Sequence, residues 1–137
     1  MPLLGAPDVN AAYHFLAGNR AAVPGFLFVI LFRAAFGEET MYRGYLFERL
    51  GRLLGGSVPA KVAIVVVTSA LFAAAHYADQ GLPGVQQAAM TGTLFGTLYM
   101  ATGELPLVMI VHAAFDLVAY AIIFFGWETT VAHWFLR

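Results

Sequence analysis

The chain has no cysteine among its 137 residues, and only 11% of its residues are charged. Without cysteine it has no disulfide, no thiolate nucleophile and no zinc site built on cysteine, which leaves the chemistry to carboxylates and imidazoles. Soluble domains carry about 25% charged residues, so the scarcity of charge argues against a soluble fold. The formal net charge is −1 with no basic patch, and nucleic acid is therefore not an expected partner.

Apolar residues make up 61% of the chain, and its mean hydropathy is +0.77. The stretches 60–78 and 105–127 are each near the roughly 20 residues that a helix needs to cross a bilayer. The first 20 residues lack the basic and apolar regions of a secretory signal, so we expect the whole chain to be mature. We predict a multi-pass integral membrane protein, in the cell membrane of a prokaryote, with the lipid bilayer around it.

Short links rich in Gly and Pro divide the chain into four apolar segments. These segments are about twice as long as a membrane β-strand, so we predict an all-α transmembrane bundle of about four antiparallel helices. A membrane-embedded core, 21–127, is expected between an N-terminal lead-in, 1–20, and a C-terminal tail, 128–137, and nothing indicates a second domain. The four segments cover roughly 22–54, 59–78, 84–101 and 105–126.

Two features concern packing and orientation. Gly92 and Gly96 form a small-xxx-small pattern, which favours close helix packing within the chain, with a dimerisation face as the alternative. The oligomeric state is not predicted. Basic residues crowd one end of the first hairpin, and the positive-inside tendency places that end in the cytoplasm. These basic residues are Arg43, Arg49, Arg52 and Lys61.

The first apolar segment carries ionisable side chains in its second half. Glu39 and Arg43 are four residues apart, so on a helix they share a face and can pair, while Glu38 projects about 100° away. This half could instead be a solvated helix, but its neighbours are largely apolar. Ionisable groups among apolar helices cost on the order of 3 kcal/mol each and usually mark a site.

Two later helices add histidines. His112 and Asp116 are four residues apart on one face, and His76 lies near the end of its segment. Glu38 and His76 are each about 19 residues from the turn at Ser57 and so at similar depth in the bilayer. By the same counting His112 differs in depth from His76 by about 10 Å of a ~30 Å bilayer core. The sequence therefore places His112 and Asp116 less securely than the first pair.

A buried carboxylate beside an imidazole can take a proton from water, and a second imidazole can stabilise the oxyanion that forms when water attacks an amide. This is the chemistry of peptide hydrolysis. Ser57 lies in a turn and Ser69 has no evident carboxylate partner, which argues against a serine protease. The same polar cluster could serve a non-catalytic membrane binding or immunity protein, or an ion path, and this alternative stays open.

Three motifs resemble those of the CPBP family, which comprises intramembrane CAAX prenyl proteases and bacteriocin-processing or self-immunity relatives. They are Glu38-Glu39-Thr-Met-Tyr-Arg43, Phe72-Ala-Ala-Ala-His76 and His112-Ala-Ala-Phe-Asp116, similar to EExxxR, FxxxH and HxxxN/D. The resemblance implies an intramembrane endopeptidase acting on a peptide or protein substrate. It implies that Glu38 and His76 activate water, that Glu39 and Arg43 support the site, and that His112 with Asp116 stabilises the oxyanion.

Position 116 departs from the prenyl-protease branch, which has Asn there. An ionised Asp116 only accepts hydrogen bonds, so it must be protonated, orient His112 or help to bind a metal. Family members have been called metalloproteases, and zinc could be held by Glu38, His76, His112 and Asp116. A metal-free glutamate mechanism fits the same residues and is the one we favour, so no cofactor is firmly predicted.

Overall fold

The computed structural model describes residues 9–135, and within that range it contains five principal helices and no β-strand. A short 3₁₀ turn, His14–Leu16, precedes them. The all-α bundle predicted from the sequence is confirmed. The helices are α1, Arg20–Leu54; α2, Val58–Ala75; α3, Tyr77–Thr102; α4, Leu105–Phe124; and α5, Glu128–Phe135.

Three helices of the described chain, α1, α2 and α4, are long and apolar enough to cross a membrane. Helix α3 completes the four long antiparallel helices that were predicted, but it is not among these three. Large apolar side chains remain exposed on the outer faces, for example Phe32, Val66 and Ile110 at 58%, 60% and 66%. An apolar exterior of this kind belongs in lipid, and the protein is a multi-pass membrane protein.

Two of the helix ends are marked by glycines with positive φ. Gly55 (φ 81°) ends α1, and Gly103 (φ 70°) ends α3 in the left-handed region that favours glycine. The predicted second segment, 59–78, ends three residues earlier than expected. His76 caps the end of α2 at the break before α3, and Gly81 (φ 62°, ψ −158°) then kinks the first turns of α3.

Helix α1 is not a regular α-helix. Its residues Val29–Glu38 and Thr40–Leu46 form π-helical turns, in which hydrogen bonds join residues five apart. Such turns hold more residues than α-helical turns and therefore rise less for each residue. The middle of α1, which carries the acidic pair, is thus shorter than its residue count suggests.

The two glycines of α3 pack inside the chain, as predicted. A Cβ on Gly92 would lie 3.1 Å from Phe72 Cδ1 and 3.4 Å from Ser69 Cα, and one on Gly96 would touch Phe47 at 3.5 Å. Both glycines are buried. Their missing side chains let α3 approach α2 closely enough to enclose the space between the helices.

The segment before α1 packs on one end of the bundle. Leu16 is fully buried with Ile30, Tyr120 and Ile123. The backbone N–H of Gly18 donates to the carbonyl of Phe124 at 2.9 Å. This end of the bundle, opposite the turn at Gly55, is therefore covered by residues that the sequence indicated only as a lead-in.

Candidate functional site

A cavity of about 360 Å³ lies between helices α1 to α4 and the segment before α1. Tyr13, Phe26 and Tyr120 form an aromatic part of its wall. The rest of the wall brings together ionisable side chains from four helices, although they are far apart in the sequence. These side chains are Arg33, Glu38, His76, Asp79, His112 and Asp116.

Glu39 and Arg43 lie behind this wall and are fully buried. Arg43 Nη1 donates to Glu39 Oε1 at 3.0 Å, as the four-residue spacing predicted. The same oxygen accepts a hydrogen bond of 2.6 Å from His112 Nδ1, and Arg43 Nη2 donates to the carbonyl of Gly92 at 2.9 Å. One carboxylate oxygen therefore ties α1 to α4, while the guanidinium ties α1 to α3.

Arg43 does not belong to the basic end of the first hairpin, where the sequence analysis placed it. Its guanidinium carbon lies 4.8 Å from the centre of the Phe72 ring, within the range of cation–π attraction. The buried partner Glu39 explains the difference, because a cation inside the bundle needs a nearby anion. Arg49, Arg52 and Lys61 remain exposed at that end.

His112 is 4% exposed, and both of its ring nitrogens have partners. The hydrogen bond from Nδ1 to Glu39 assigns a proton to Nδ1. Nε2 lies 3.5 Å from Asp116 Oδ2, one helical turn further along α4. The ring is thus oriented by a carboxylate on each side, with its Nε2 edge at the cavity.

His76 and Glu38 also line the cavity. His76 Nδ1 lies 2.7 Å from the carbonyl of Phe72, so Nδ1 carries the proton and Nε2 is left as an acceptor. The Phe72 ring centre is 4.6 Å from that of His76 and 6.2 Å from that of His112. Glu38 is half-buried and lines the same cavity as His76.

The family model described as type II CAAX prenyl endopeptidase Rce1-like matches residues 20–118, which is most of the chain. The chain belongs to this family. No curated protein and no solved structure matches it significantly.

Members of the Rce1-like family are membrane endopeptidases, so the chain belongs to a family of hydrolases that act on peptide bonds. The match covers all three motifs, and with them the six residues singled out in the sequence. It agrees with the resemblance to CAAX proteases drawn from those motifs. The family match does not assign a role to each side chain, and those roles are argued from the geometry of the site.

Two features bring His112 into the site although counting residues predicted a different depth from that of His76. The π-helical turns of α1 bring its acidic pair nearer to the turn at Gly55 than an α-helical count predicts, which lets Glu39 reach His112. The Phe72 ring then lies between the two imidazoles. The hydropathy pattern of the sequence predicts neither the π-helical turns nor the position of the Phe72 ring.

Glu38, His76, His112 and Asp116, the candidate ligands if a metal were present, are not grouped as a metal site. Among the described residues, no group of three or more His, Asp or Glu side chains is arranged to hold a metal ion. Zinc requires three or four protein ligands at about 2.0–2.2 Å. His112 instead has each nitrogen facing a carboxylate, and His76 Nδ1 is bonded to a backbone carbonyl. The residues as arranged do not fit zinc.

Sequence reasoning missed two participants in the site. The Gly92 carbonyl accepts a hydrogen bond from Arg43, whereas the glycine pattern predicted only that Gly92 packs against another helix. Arg33 lines the cavity and lies 3.8 Å from Asp79. Its position five residues before Glu38 in a helix was the available signal, but a π-helical turn is needed to bring the two onto one face.

Proposed function

We propose that the chain is an intramembrane endopeptidase that hydrolyses peptide bonds with a water molecule activated by Glu38 and His76. The observation that carries this proposal is the difference in burial and hydrogen bonding between the two glutamates, Glu38 and Glu39. Glu39 is fully buried and bonded to Arg43 and His112, whereas Glu38 lines the cavity that His76 and His112 also line. The first is suited to holding the site together and the second to reacting.

In the proposed reaction, water enters between Glu38 and His76. Glu38 takes a proton from the water as its oxygen attacks the scissile carbonyl carbon, with His76 Nε2 accepting the second water hydrogen bond. The proton then passes from Glu38 to the leaving amine as the carbon–nitrogen bond breaks. The products are a carboxylic acid and an amine, which then exchange a proton to become a carboxylate and an ammonium group, so atoms and protons balance.

The oxyanion formed in this attack needs a donor. His112 holds its Nδ1 proton towards Glu39, and in its doubly protonated form it presents an Nε2–H at the cavity edge. We assign that N–H to the oxyanion, which replaces Asp116 as its acceptor when substrate is bound. In the free protein Asp116 faces the same N–H and orients the ring, a role that an ionised carboxylate can perform.

The test is hydrolysis of a fluorogenic peptide by purified protein in detergent or liposomes. Glu38→Gln and His76→Ala should each lower kcat at least about 100-fold, the usual contribution of a general base. Glu48→Gln provides a matched control, because Glu48 is an exposed glutamate on the same helix, paired with Arg52. The control should retain the rate of the unsubstituted protein.

Three results would contradict the proposal. If folded Glu38→Gln still cleaves at the rate of the Glu48→Gln control, Glu38 is not the base. If no member of a peptide panel is cleaved but the cavity binds peptide, the non-catalytic binding function is correct. Treatment with EDTA or phenanthroline should leave the rate unchanged, and its loss on chelation, with recovery on added zinc, would replace this mechanism by a metal-dependent one.

A further inference from the structure

Arg33 is the single Lys or Arg that lines the cavity within residues 9–135. The other charged wall residues besides the histidines are the carboxylates Glu38, Asp79 and Asp116. An anionic group entering the cavity would be repelled by these acids and attracted by Arg33. Apart from the His112 N–H assigned to the oxyanion, Arg33 is therefore the point in the described wall that can hold a negative charge.

The position of Arg33 on α1 relates it to the reacting carboxylate. Arg33 and Glu38 are five residues apart in the π-helical stretch Val29–Glu38, where hydrogen bonds join residues five apart. They therefore lie one turn apart on the same face. An extended peptide advances about 3.3 Å per residue, so a group held at Arg33 places peptide bonds only a few residues away beside Glu38.

The present partner of Arg33 does not account for its presence in an apolar helix. Its Nη2 lies 3.8 Å from Asp79 Oδ2, and the two side chains are 70% and 67% exposed. A long, exposed ion pair contributes little to stability. The neighbouring Phe32 and Phe36 are exposed apolar residues of a membrane helix, where an arginine is costly and usually functional.

We propose that Arg33 is the residue of this chain that binds the C-terminal carboxylate of the peptide substrate. This inference rests on the proposed function. A CAAX motif, which gives the family its name, lies at a C terminus. Guanidinium and carboxylate form paired, charge-assisted hydrogen bonds, which makes arginine the fitting residue for this end of a peptide.

The experiment compares two peptides of the same sequence, one ending in a free carboxylate and the other in a carboxamide. The unsubstituted protein should cleave the carboxylate peptide with a kcat/KM about 10–100-fold higher, chiefly through KM, as expected for a hydrogen bond to a charged group. Arg33→Gln should bring this ratio close to one, because it should lower kcat/KM for the carboxylate peptide and leave kcat/KM for the carboxamide peptide unchanged. Arg49→Gln, an exposed arginine at the far end of the same helix, should keep the full ratio.

Asp79→Asn separates substrate binding from a structural role of the ion pair. If Arg33 acts by pairing with Asp79, both substitutions should have the same effect on cleavage. If Arg33 binds the substrate, Asp79→Asn removes a competing anion and should lower KM for the carboxylate peptide. Equal effects of Arg33→Gln and Asp79→Asn would overturn the inference.

A lipid headgroup is another source of the same anionic chemistry. The assays should therefore be run in neutral detergent and again with phosphatidylglycerol added. One outcome is that Arg33→Gln lowers cleavage only when the anionic lipid is present, and equally for the carboxylate and the carboxamide peptide. That result would show that Arg33 binds lipid and would overturn the inference.

Binding distinguishes failure of the inference from failure of the proposed function. Fluorescence anisotropy on Glu38→Gln measures the affinity for both peptides without any cleavage. Tighter binding of the carboxylate peptide, lost in Glu38→Gln/Arg33→Gln, supports the role of Arg33 even if the chain hydrolyses nothing. Equal binding of the two peptides overturns it even if the chain is a protease.

Discussion

At the scale of single residues, the notable feature is that one oxygen of Glu39 receives both hydrogen bonds. Oε1 accepts from Arg43 and from His112, while the buried Oε2 has no hydrogen-bond partner among residues 9–135. A buried charge cluster is stable only while its partners are complete. The site is therefore sensitive to the loss of a single member.

Removing the cation should destabilise the fold strongly. Arg43→Met leaves Glu39 buried with His112 as its remaining charged partner, and we expect a loss of about 3–5 kcal/mol in the free energy of unfolding. Denaturant titration in mixed micelles measures this. Arg52→Met, which breaks an exposed i,i+4 pair with Glu48, should cost under about 1 kcal/mol.

The double variant Glu39→Gln/Arg43→Met sharpens this test. Neutralising the carboxylate removes the unpaired charge, so the double variant should be more stable than Arg43→Met alone. If Arg43→Met and Arg52→Met destabilise equally, Arg43 is not held in the buried cluster described.

Local spacing determined how much of the site could be predicted. The pairs Glu39–Arg43 and His112–Asp116 are each four residues apart, so helical geometry alone brings them near each other. The bond between His112 and Glu39 joins residues 73 apart, and no local pattern specifies it. It depends on how α1 and α4 cross, which side-chain packing decides.

At the scale of helices, run length and hydropathy predicted the helices but not their internal form. Apolar segments bounded by Gly and Pro correspond to α1 to α4, because the cost of unpaired backbone groups in lipid leaves few alternatives. The π-helical turns of α1 were not predicted. The hydrophobic pattern hardly differs between an α-helix, whose hydrogen bonds join residues four apart, and a π-helix, whose hydrogen bonds join residues five apart. The early end of α2 at Ala75 was missed for a similar reason, as Tyr77 and Ala78 continue the largely apolar run beyond it.

The α2–α3 contact can be tested at Gly92. Gly92→Leu places a Cβ 3.1 Å from Phe72 Cδ1 and adds further carbons against the side chain that lies between the two histidines. We expect a loss of about 1–3 kcal/mol in unfolding free energy, typical of an overpacked interior, together with reduced peptidase activity.

Gly51→Leu is the matched control for this substitution. Gly51 lies within the final turns of α1, and a Cβ there would meet nothing within 4 Å. Leucine is also a better helix former than glycine, so this variant should be no less stable than the unsubstituted protein. A Gly92→Leu protein as stable as Gly51→Leu would show that the helices can separate without cost.

At the scale of the whole molecule, the charge distribution gives an orientation. Arg49, Arg52 and Lys61 lie at the end that carries the turns at Gly55 and Gly103, and we propose that this end faces the cytoplasm of a prokaryotic cell. The opposite end carries the segment before α1 and helix α5. Asn10 N–H donates to Glu128 Oε1 across this end at 2.6 Å.

The absence of cysteine makes this orientation easy to measure. Ser57→Cys and Thr130→Cys each introduce one thiol at an exposed position, at opposite ends of the bundle. In intact cells an impermeant maleimide should label Thr130→Cys at once and Ser57→Cys only after permeabilisation. The reverse pattern would invert the orientation, and labelling of both in intact cells would contradict a membrane-spanning arrangement.

The break between α2 and α3 has one further consequence. His76 is bonded through Nδ1 to Phe72 and so moves with α2, whereas Glu38 moves with α1. The distance between the proposed base and its imidazole partner therefore depends on the relative tilt of two membrane helices. Helices tilt to match the thickness of the bilayer around them, so the length of the lipid acyl chains becomes a control on the geometry of the site.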